Sequence, residues 1–481
     1  MNPLLLMSGM SLAKLIRNKE VSSLEIVQTH IAHLQKVNKH INAVVQTRFD
    51  QAIEDAKRAD GFLKSYGAEN CPVFHGVPCT IKESFKLIGM PNTGGLVARK
   101  GIISDEDATA VSRLRNAGVI PLGVTNLSEL GMWMESFNHV YGKTNNAYDS
   151  KRTSGGSSGG EGAIIGSGAS PFGLGSDIGG SIRMPAFFNG VFGHKSTSGL
   201  IPNTGQFPNV SDSISVYVST GPLARHSEDL FPLLTLLSGP DSMDGACKNI
   251  PLGDPNSINI SELSIIDIQD NSRITVSKEL QDVQIQVANR FRDMGVHVKR
   301  ESIPELKYSF EMWFSMIDEA THIPFSQTLG NGNPIQPFTE FFNFFTRRSP
   351  YTIPAILLSM LEKLPKMNSY RQRFIDQTKA LKAKLIEMIG PTGIMLYPSH
   401  PTVAPYHYLP LLRWTYWTYT GIFNVLGFPV TQVPLGLNKK GIPLGIQIVG
   451  IPGNDHITIA TAMFLEKHFG GWVPPVSYDS E

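Results

Sequence analysis

Two glycine-dense clusters carry the residues in this chain best suited to chemistry. They are Ser154-Gly-Gly-Ser157-Ser158-Gly-Gly-Glu-Gly162 and Gly175-Ser-Asp177-Ile178-Gly179-Gly180-Ser181-Ile-Arg183. Glycine at that density costs backbone entropy, so a folded chain keeps it where unusual dihedrals or close approach are required. In the second cluster the small residues let successive N–H groups point into one concavity. That is how a backbone oxyanion hole forms, here beside a hydroxyl that could attack a carbonyl. Upstream, the apolar run from Val77 ends in Lys82. Burial there would lower the pKa of its ammonium and make it a base at neutral pH. Taken alone, Lys82 reads more simply as a solvated lysine at a strand end.

Other chemistries fit these clusters less well. A flexible linker would lack the interleaved Ile164-Ile165, Ile178, Ile182 and Phe187-Phe188. A phosphate-cradling loop needs Gly-Lys-Ser/Thr, and Gly193-His-Lys-Ser196 misses that spacing by one residue. Gly155-Gly-Ser157-Ser-Gly159 formally matches the G-x-S-x-G nucleophile elbow. An elbow needs an apolar strand before it, whereas residues 145–154 are polar and turn-like. It also needs a histidine, and with 13 in the chain a candidate can always be found. No metal site is expected. His30 and His33 share a helix face, but no H-E-x-x-H or Cys/His cluster accompanies them.

Both serine motifs closely resemble those of the amidase signature family. The likeness continues in Gly76-Val-Pro-Cys-Thr-Ile-Lys82, Thr125-Asn-Leu-Ser-Glu129, Asn145-Asn, Pro398-Ser-His-Pro and Gly427-Phe-Pro-Val-Thr-Gln-Val-Pro434, in family order over most of the chain. Within the family the nearer likeness is to the type 2 fatty-acid amide hydrolases, through Met132-Trp-Met-Glu-Ser136, Ser181-Ile-Arg-Met-Pro-Ala-Phe-Phe-Asn189 and Tyr397-Pro-Ser-His400. The resemblance implies Ser181 as nucleophile, Ser157 as proton relay and Lys82 as final base. It implies an oxyanion hole from the N–H groups of Ile178, Gly179, Gly180 and Ser181, with the Gly131–Met132 backbone beside the substrate carbonyl. Asp177 and Arg183 are expected to organise the loop, and Ser158 to support it by hydrogen bonding. Lys195-Ser-Thr-Ser198 departs from the family, which usually has proline after the lysine, so an altered loop is expected there.

The elements that must hold these residues follow an α/β rhythm. Ser11 is expected to cap a first helix, and Ser22-Ser-Leu-Glu25 has capping-box spacing before Leu24, Val27, Ile31 and Leu34. Residues 49–63 read as another helix. Val77–Lys82 and Val119–Val124 read as strands around a helix from Asp107 to Asn116. A later unit repeats the pattern: strand 263–268, a helix with Leu280, Val283, Val287 and Phe291, and a return through 295–298. Strands at 393–397, 429–433 and 443–449 complete the set. Alternating strands and helices indicate an α/β fold, a single large domain spanning 1–481 with a mixed twisted sheet covered by helices on both faces, as in the amidase signature fold. Residues 154–199 and about 334–365 interrupt this rhythm.

At 481 residues, with 41% hydrophobic, 17% charged and a net charge of +1, the chain can bury a large core. It shows no basic stripe that would bind nucleic acid. Three cysteines (Cys71, Cys79, Cys247) do not make a disulfide framework and fit a reducing, intracellular setting. No apolar run reaches the ~20 residues of a spanning helix, and no signal peptide is visible. Relatives in this family include some with an N-terminal membrane anchor; this chain begins where such a segment would have ended. The stretch Phe338, Phe341-Phe342, Phe344-Phe345, Arg347-Arg348, Tyr351 and residues 353–361, with Lys363 and Lys366, suits either a lipid interface or a packed helical hairpin. Met132, Trp133, Met134, Met312, Trp313 and Phe314 are candidates for lining an apolar channel.

The resemblance, together with the aromatic segment, implies hydrolysis of long-chain fatty-acid amides without a cofactor. The expected partners are a lipid amide substrate, a membrane or lipid-droplet surface and a second copy of the chain as a homodimer. Two other readings keep the scaffold: an amidase of short or aryl amides or of glutamine, and a non-catalytic lipid-binding protein.

Overall fold

The structure is a computed structural model that describes residues 1–210, 212–362 and 368–476. Lys363 and Lys366 therefore lie outside the described residues. Thirteen strands are described: β1 (Val44–Thr47), β2 (Pro78–Lys82), β3 (Ile120–Thr125), β4 (Phe137–Asn138), β5 (Gly142–Lys143), β6 (Phe172–Asp177), β7 (Phe192–Lys195), β8 (Ser219–Ala224), β9 (Ser264–Ile268), β10 (His297–Glu301), β11 (Gly393–Tyr397), β12 (Val430–Leu437) and β13 (Pro443–Val449). Strands β4 and β5 form a small hairpin. The other eleven make one sheet in the order β1-β3-β2-β6-β8-β7-β12-β13-β11-β9-β10, flanked by helices. It is mixed: β3-β2-β6 and β11-β9-β10 run parallel, and the remaining pairs are antiparallel.

Every residue of β2, β3, β7 and β8 is buried, as expected for strands covered on both faces. Ile81, Val124, Leu174 and Phe172 pack in one core with Leu12, Ile16 and Leu234 from the surrounding helices. Each such side chain contributes about 1.5–3 kcal/mol by leaving water. Because β3, β2 and β6 are parallel neighbours, their C-terminal ends place Thr125, Lys82 and Asp177 along one edge. In open α/β sheets that edge is where ligands bind.

Local signals explain most boundaries. Ser22 Oγ accepts the Glu25 N–H at 3.0 Å and starts helix Ser23–Ile41, as the capping-box spacing predicts. The first helix is capped one turn earlier than expected. Ser8 is its N-cap and Ser11 lies inside Gly9–Arg17, donating its N–H to Ser8 Oγ. The glycine-dense stretch does not break the rhythm. It contains helix Gly159–Gly166, β6, helix Arg183–Phe188 and β7.

Candidate active site

Lys82 leaves the end of β2 with 1% of its surface exposed. Its Nζ lies 2.8 Å from Ser157 Oγ and 3.0 Å from Ser176 Oγ. Burial brings its pKa down to about 7, partly opposed by the nearby charges of Asp177 and Glu161. A lysine so placed is about half neutral at pH 7, and in that form its lone pair can accept a hydroxyl proton.

Ser157 sits in the turn entering helix Gly159–Gly166, next to a cis Gly156–Ser157 peptide. Residue 156 must be glycine, since a Cβ there would stand 2.3 Å from the Trp133 carbonyl oxygen. Ser136 fixes this turn by donating its Oγ–H to Ser157 O (3.0 Å) and accepting the Gly159 N–H (2.8 Å). No strand precedes Ser157, so the structural setting of a nucleophile elbow is missing. Gly131 borders the same serine: a Cβ on it would lie 3.5 Å from Ser157 Oγ. Met132 follows, half-buried against the aromatic core.

Ser181 follows β6 in the loop that leads into helix Arg183–Phe188. At 6% it is the most exposed of the three, against 2% for Ser157 and 1% for Lys82. Its Oγ makes no hydrogen bond to a described residue. The two serine loops are joined instead through Ser158, whose N–H donates to Ser181 O (3.2 Å) and whose Oγ–H donates to Ser176 O (3.3 Å). Catalytic contacts are often longer in the free protein than in the substrate complex.

The carbonyls of this loop are tied into the protein. Asp177 O accepts from Asn424 Nδ2 (2.8 Å), Ile178 O from Trp313 Nε1 (2.8 Å) and Gly180 O from the Met184 N–H (2.8 Å). In a trans peptide the following N–H points the opposite way. The N–H groups of Ile178, Gly179 and Ser181 are thereby turned from these anchors and have no described partner. Gly180 differs from expectation: its N–H is already donated to Asp177 Oδ1 at 2.6 Å. Three donors rather than four are therefore open to a developing oxyanion. Gly180 adopts φ +117, and a side chain there would also strike Thr420 Oγ1.

Asp177 and Arg183 form a fully buried ion pair at 2.9 Å. Burial alone would raise the Asp177 pKa, but the Arg183 guanidinium and the Ile182 N–H hold it well below the usual carboxylate range. Arg183 also binds Thr420 O, Gln447 Oε1 and Asn424 Oδ1, so it fastens the loop to the opposite half of the sheet.

Sequence reasoning overlooks four residues here: Ser136, Ser176, Asn424 and Glu161. Glu161 is fully buried, and its oxygens accept from Thr80 Oγ1 (2.7 Å) and Thr125 Oγ1 (2.8 Å). Burial raises its pKa to about 8. Its place in Gly-Gly-Glu-Gly162, a charged residue among glycines, is the one signal that could have found it. Of the candidate lining residues, Trp133 is half-buried and Trp313 binds Ile178 O. Met134 and Met312 belong to the core, and Phe314 faces outward against Phe310. His30 and His33 each bond a separate carbonyl, of Ile26 and Ser167. Among the described residues no group of three or more His, Cys, Asp or Glu could hold a metal ion.

Known proteins resemble this chain in both sequence and fold. The family model described as Amidase matches residues 25–459. The chain is 44% identical to fatty-acid amide hydrolase 2 of Homo sapiens, over 98% of this chain and 91% of that protein. It is 27% identical to indoleacetamide hydrolase of Bradyrhizobium diazoefficiens, over 96% and 86%. Among solved structures it resembles a fatty acid amide hydrolase with a TM-score of 0.82 at 22% identity, covering 98% of this chain and 87% of the other.

Proposed function

Since this chain belongs to the amidase family, we propose that it hydrolyses long-chain fatty-acid amides through an acyl-enzyme on Ser181. The observation that carries the chemistry is the 2.8 Å contact between Ser157 Oγ and a buried lysine whose pKa is near 7. The substrate class rests on the 44% identity to fatty-acid amide hydrolase 2.

In the proposed sequence neutral Lys82 takes the Ser157 proton while Ser157 takes that of Ser181. The Ser181 oxygen bonds to the amide carbon, and the carbonyl electrons move onto oxygen. The N–H groups of Ile178, Gly179 and Ser181 stabilise that charge, each typically worth about 3 kcal/mol. The relay then reverses and protonates the nitrogen, which leaves as ammonia or an amine because the amide anion is a poor leaving group. Water then bonds to the acyl carbon as the same relay takes its proton, the bond from that carbon to Ser181 Oγ breaks, and the relay returns the proton to Ser181 as the fatty acid leaves. Asp177 and Arg183 keep the donors in place and exchange no proton.

A pH dependence follows from the lysine. At low pH Lys82 is an ammonium with no lone pair, so acylation stops. As pH rises through about 7 the neutral amine forms and kcat/KM climbs toward a plateau near pH 9. Single-turnover acylation rates across this range check it; a rate independent of pH would remove Lys82 as the base.

The aromatic helix is read as the surface that meets lipid. Phe338, Phe342 and Phe345 lie on one face of helix Pro337–Phe345 and are 59%, 71% and 68% exposed. Arg347 and Arg348 follow, and helix Ile353–Leu361 adds exposed Leu357 and Leu361. Among the described residues no helix is long and apolar enough to cross a membrane, so the contact proposed is peripheral. Phe342→Ser with Phe345→Ser should cut co-sedimentation with phosphatidylcholine/phosphatidylserine vesicles about tenfold while sparing hydrolysis of a soluble amide. Unchanged sedimentation, or a wild-type dimer that the double variant dissociates, would assign this face to a second copy of the chain instead.

A further inference from the structure

Beside Asn424 lies a cavity of about 250 Å³ that the proposed reaction does not use. Its polar end is built around Gly427, which closes helix Thr418–Leu426 in the left-handed conformation. A Cβ at Gly427 would stand 3.2 Å from Ser198 Oγ and 3.5 Å from Lys382 Nζ. With no side chain there, a hydroxyl and an ammonium face each other across open space.

Neither group has a hydrogen-bond partner among the described residues. Ser198 Oγ is buried and has no hydrogen-bond partner. Lys382, half-buried on helix Asn368–Ile389, forms no ion pair or hydrogen bond with a described residue, and burial lowers its pKa. The fully buried Lys195, whose pKa burial and then Arg183 bring down to about 7, already donates to Ser196 O (2.9 Å) and Phe428 O (2.8 Å) and is not free to serve this cavity. The carboxylates of the adjoining helix Ser309–Ala320 are engaged elsewhere: Asp318 and Glu319 pair with Arg371 at 3.4 and 3.3 Å, and Glu311 with Arg273 at 3.1 Å. The buried hydroxyl needs a hydrogen-bond acceptor, and the ammonium beside it favours one that is negatively charged. Val216, Met316 and Val425 give the wall an apolar side, while Tyr217, Thr378, Lys379 and Asn424 complete the lining. Ser198 lies in the Lys195-Ser-Thr-Ser segment where this sequence departs from its family.

We propose that this cavity binds a small amphipathic carboxylic acid, its carboxylate held by Lys382 and Ser198 and its alkyl body against Val216, Met316 and Val425. The bound acid would also touch Asn424, whose Nδ2 donates to both Asp177 O (2.8 Å) and Asp177 Oδ1 (3.0 Å). The site therefore adjoins the brace of the oxyanion loop without sharing a residue with the three catalytic candidates.

The test is calorimetric titration of octanoate into protein first treated with a dodecyl fluorophosphonate, which fills the acyl channel and is verified by intact mass. One saturable octanoate site is expected. Lys382→Gln should weaken it about tenfold, the effect of removing one charge-assisted hydrogen bond. Ser198→Ala should weaken it several-fold, and neither octanol nor inorganic phosphate should bind. Absent octanoate uptake, uptake indifferent to both substitutions, or equal uptake of phosphate would overturn the proposal. Failure of Ser181 to label would count against the nucleophile instead. The Lys382 dependence of octanoate uptake decides the cavity in either event.

Discussion

Ser181→Ala is expected to lower kcat/KM on a fatty-acid amide by about 10⁴-fold or more, leaving only the residual rate that binding and the oxyanion donors supply. The change removes one oxygen that bonds to no described residue, so the melting temperature should hold. Steady-state rates alone would not separate this assignment from one in which Ser157 attacks. Acid-quenched intact mass does: wild-type protein should carry the acyl group, and peptide mapping should find it on Ser181. Ser157 is the poorer candidate because its hydroxyl is turned to Lys82 and only 2% of its surface is exposed. An acyl group mapped to Ser157, or a rate loss under tenfold in Ser181→Ala, would reverse the roles of the two serines.

Lys82→Ala should cost about 10³-fold on the amide and far less on the matched ester. Both substrates lose the base that activates Ser181. Only the amide strongly needs a proton delivered to its leaving atom, and the same relay delivers it. The substitution does not strand a charge, because Asp177 keeps Arg183 and burial favours the neutral form of Glu161. Parallel rate measurements on oleamide and methyl oleate, with melting temperatures as control, give the ratio directly. Equal losses would mean that Lys82 supports the site without moving the proton.

Strands with apolar runs are legible in the amino-acid sequence: β2, β3, β9, β11, β12 and β13 all lie where their Val, Ile and Leu patterns put them. β6 is not. Its sequence, Phe172-Gly-Leu-Gly-Ser-Asp177, reads as loop because strand propensity averages out over glycines. In the fold those glycines are what the crowded centre needs, since a Cβ on Gly173 or Gly175 would meet Glu161 or Leu223 and Ser158. The site shows the same division. Lys82, Ser157 and Ser181 carry recognisable motifs, and the fold brings Lys82 and Ser157 into contact. Ser136 and Asn424 act through side-chain bonds to main-chain atoms distant in sequence, which no local pattern announces. The donation of the Gly180 N–H to Asp177 is equally invisible, because it depends on where one carboxylate turns.

The measurement that bears most directly on the central claim is a hydrolysis rate series on primary amides from acetamide to oleamide. A lipid amidase should show kcat/KM rising steeply with chain length, as each added methylene contributes up to ~0.8 kcal/mol of binding. The whole series should vanish in Ser181→Ala. Rates flat or falling with length would contradict the lipid substrate while leaving a serine amidase of smaller amides. Rates that survive the substitution would contradict the serine chemistry itself.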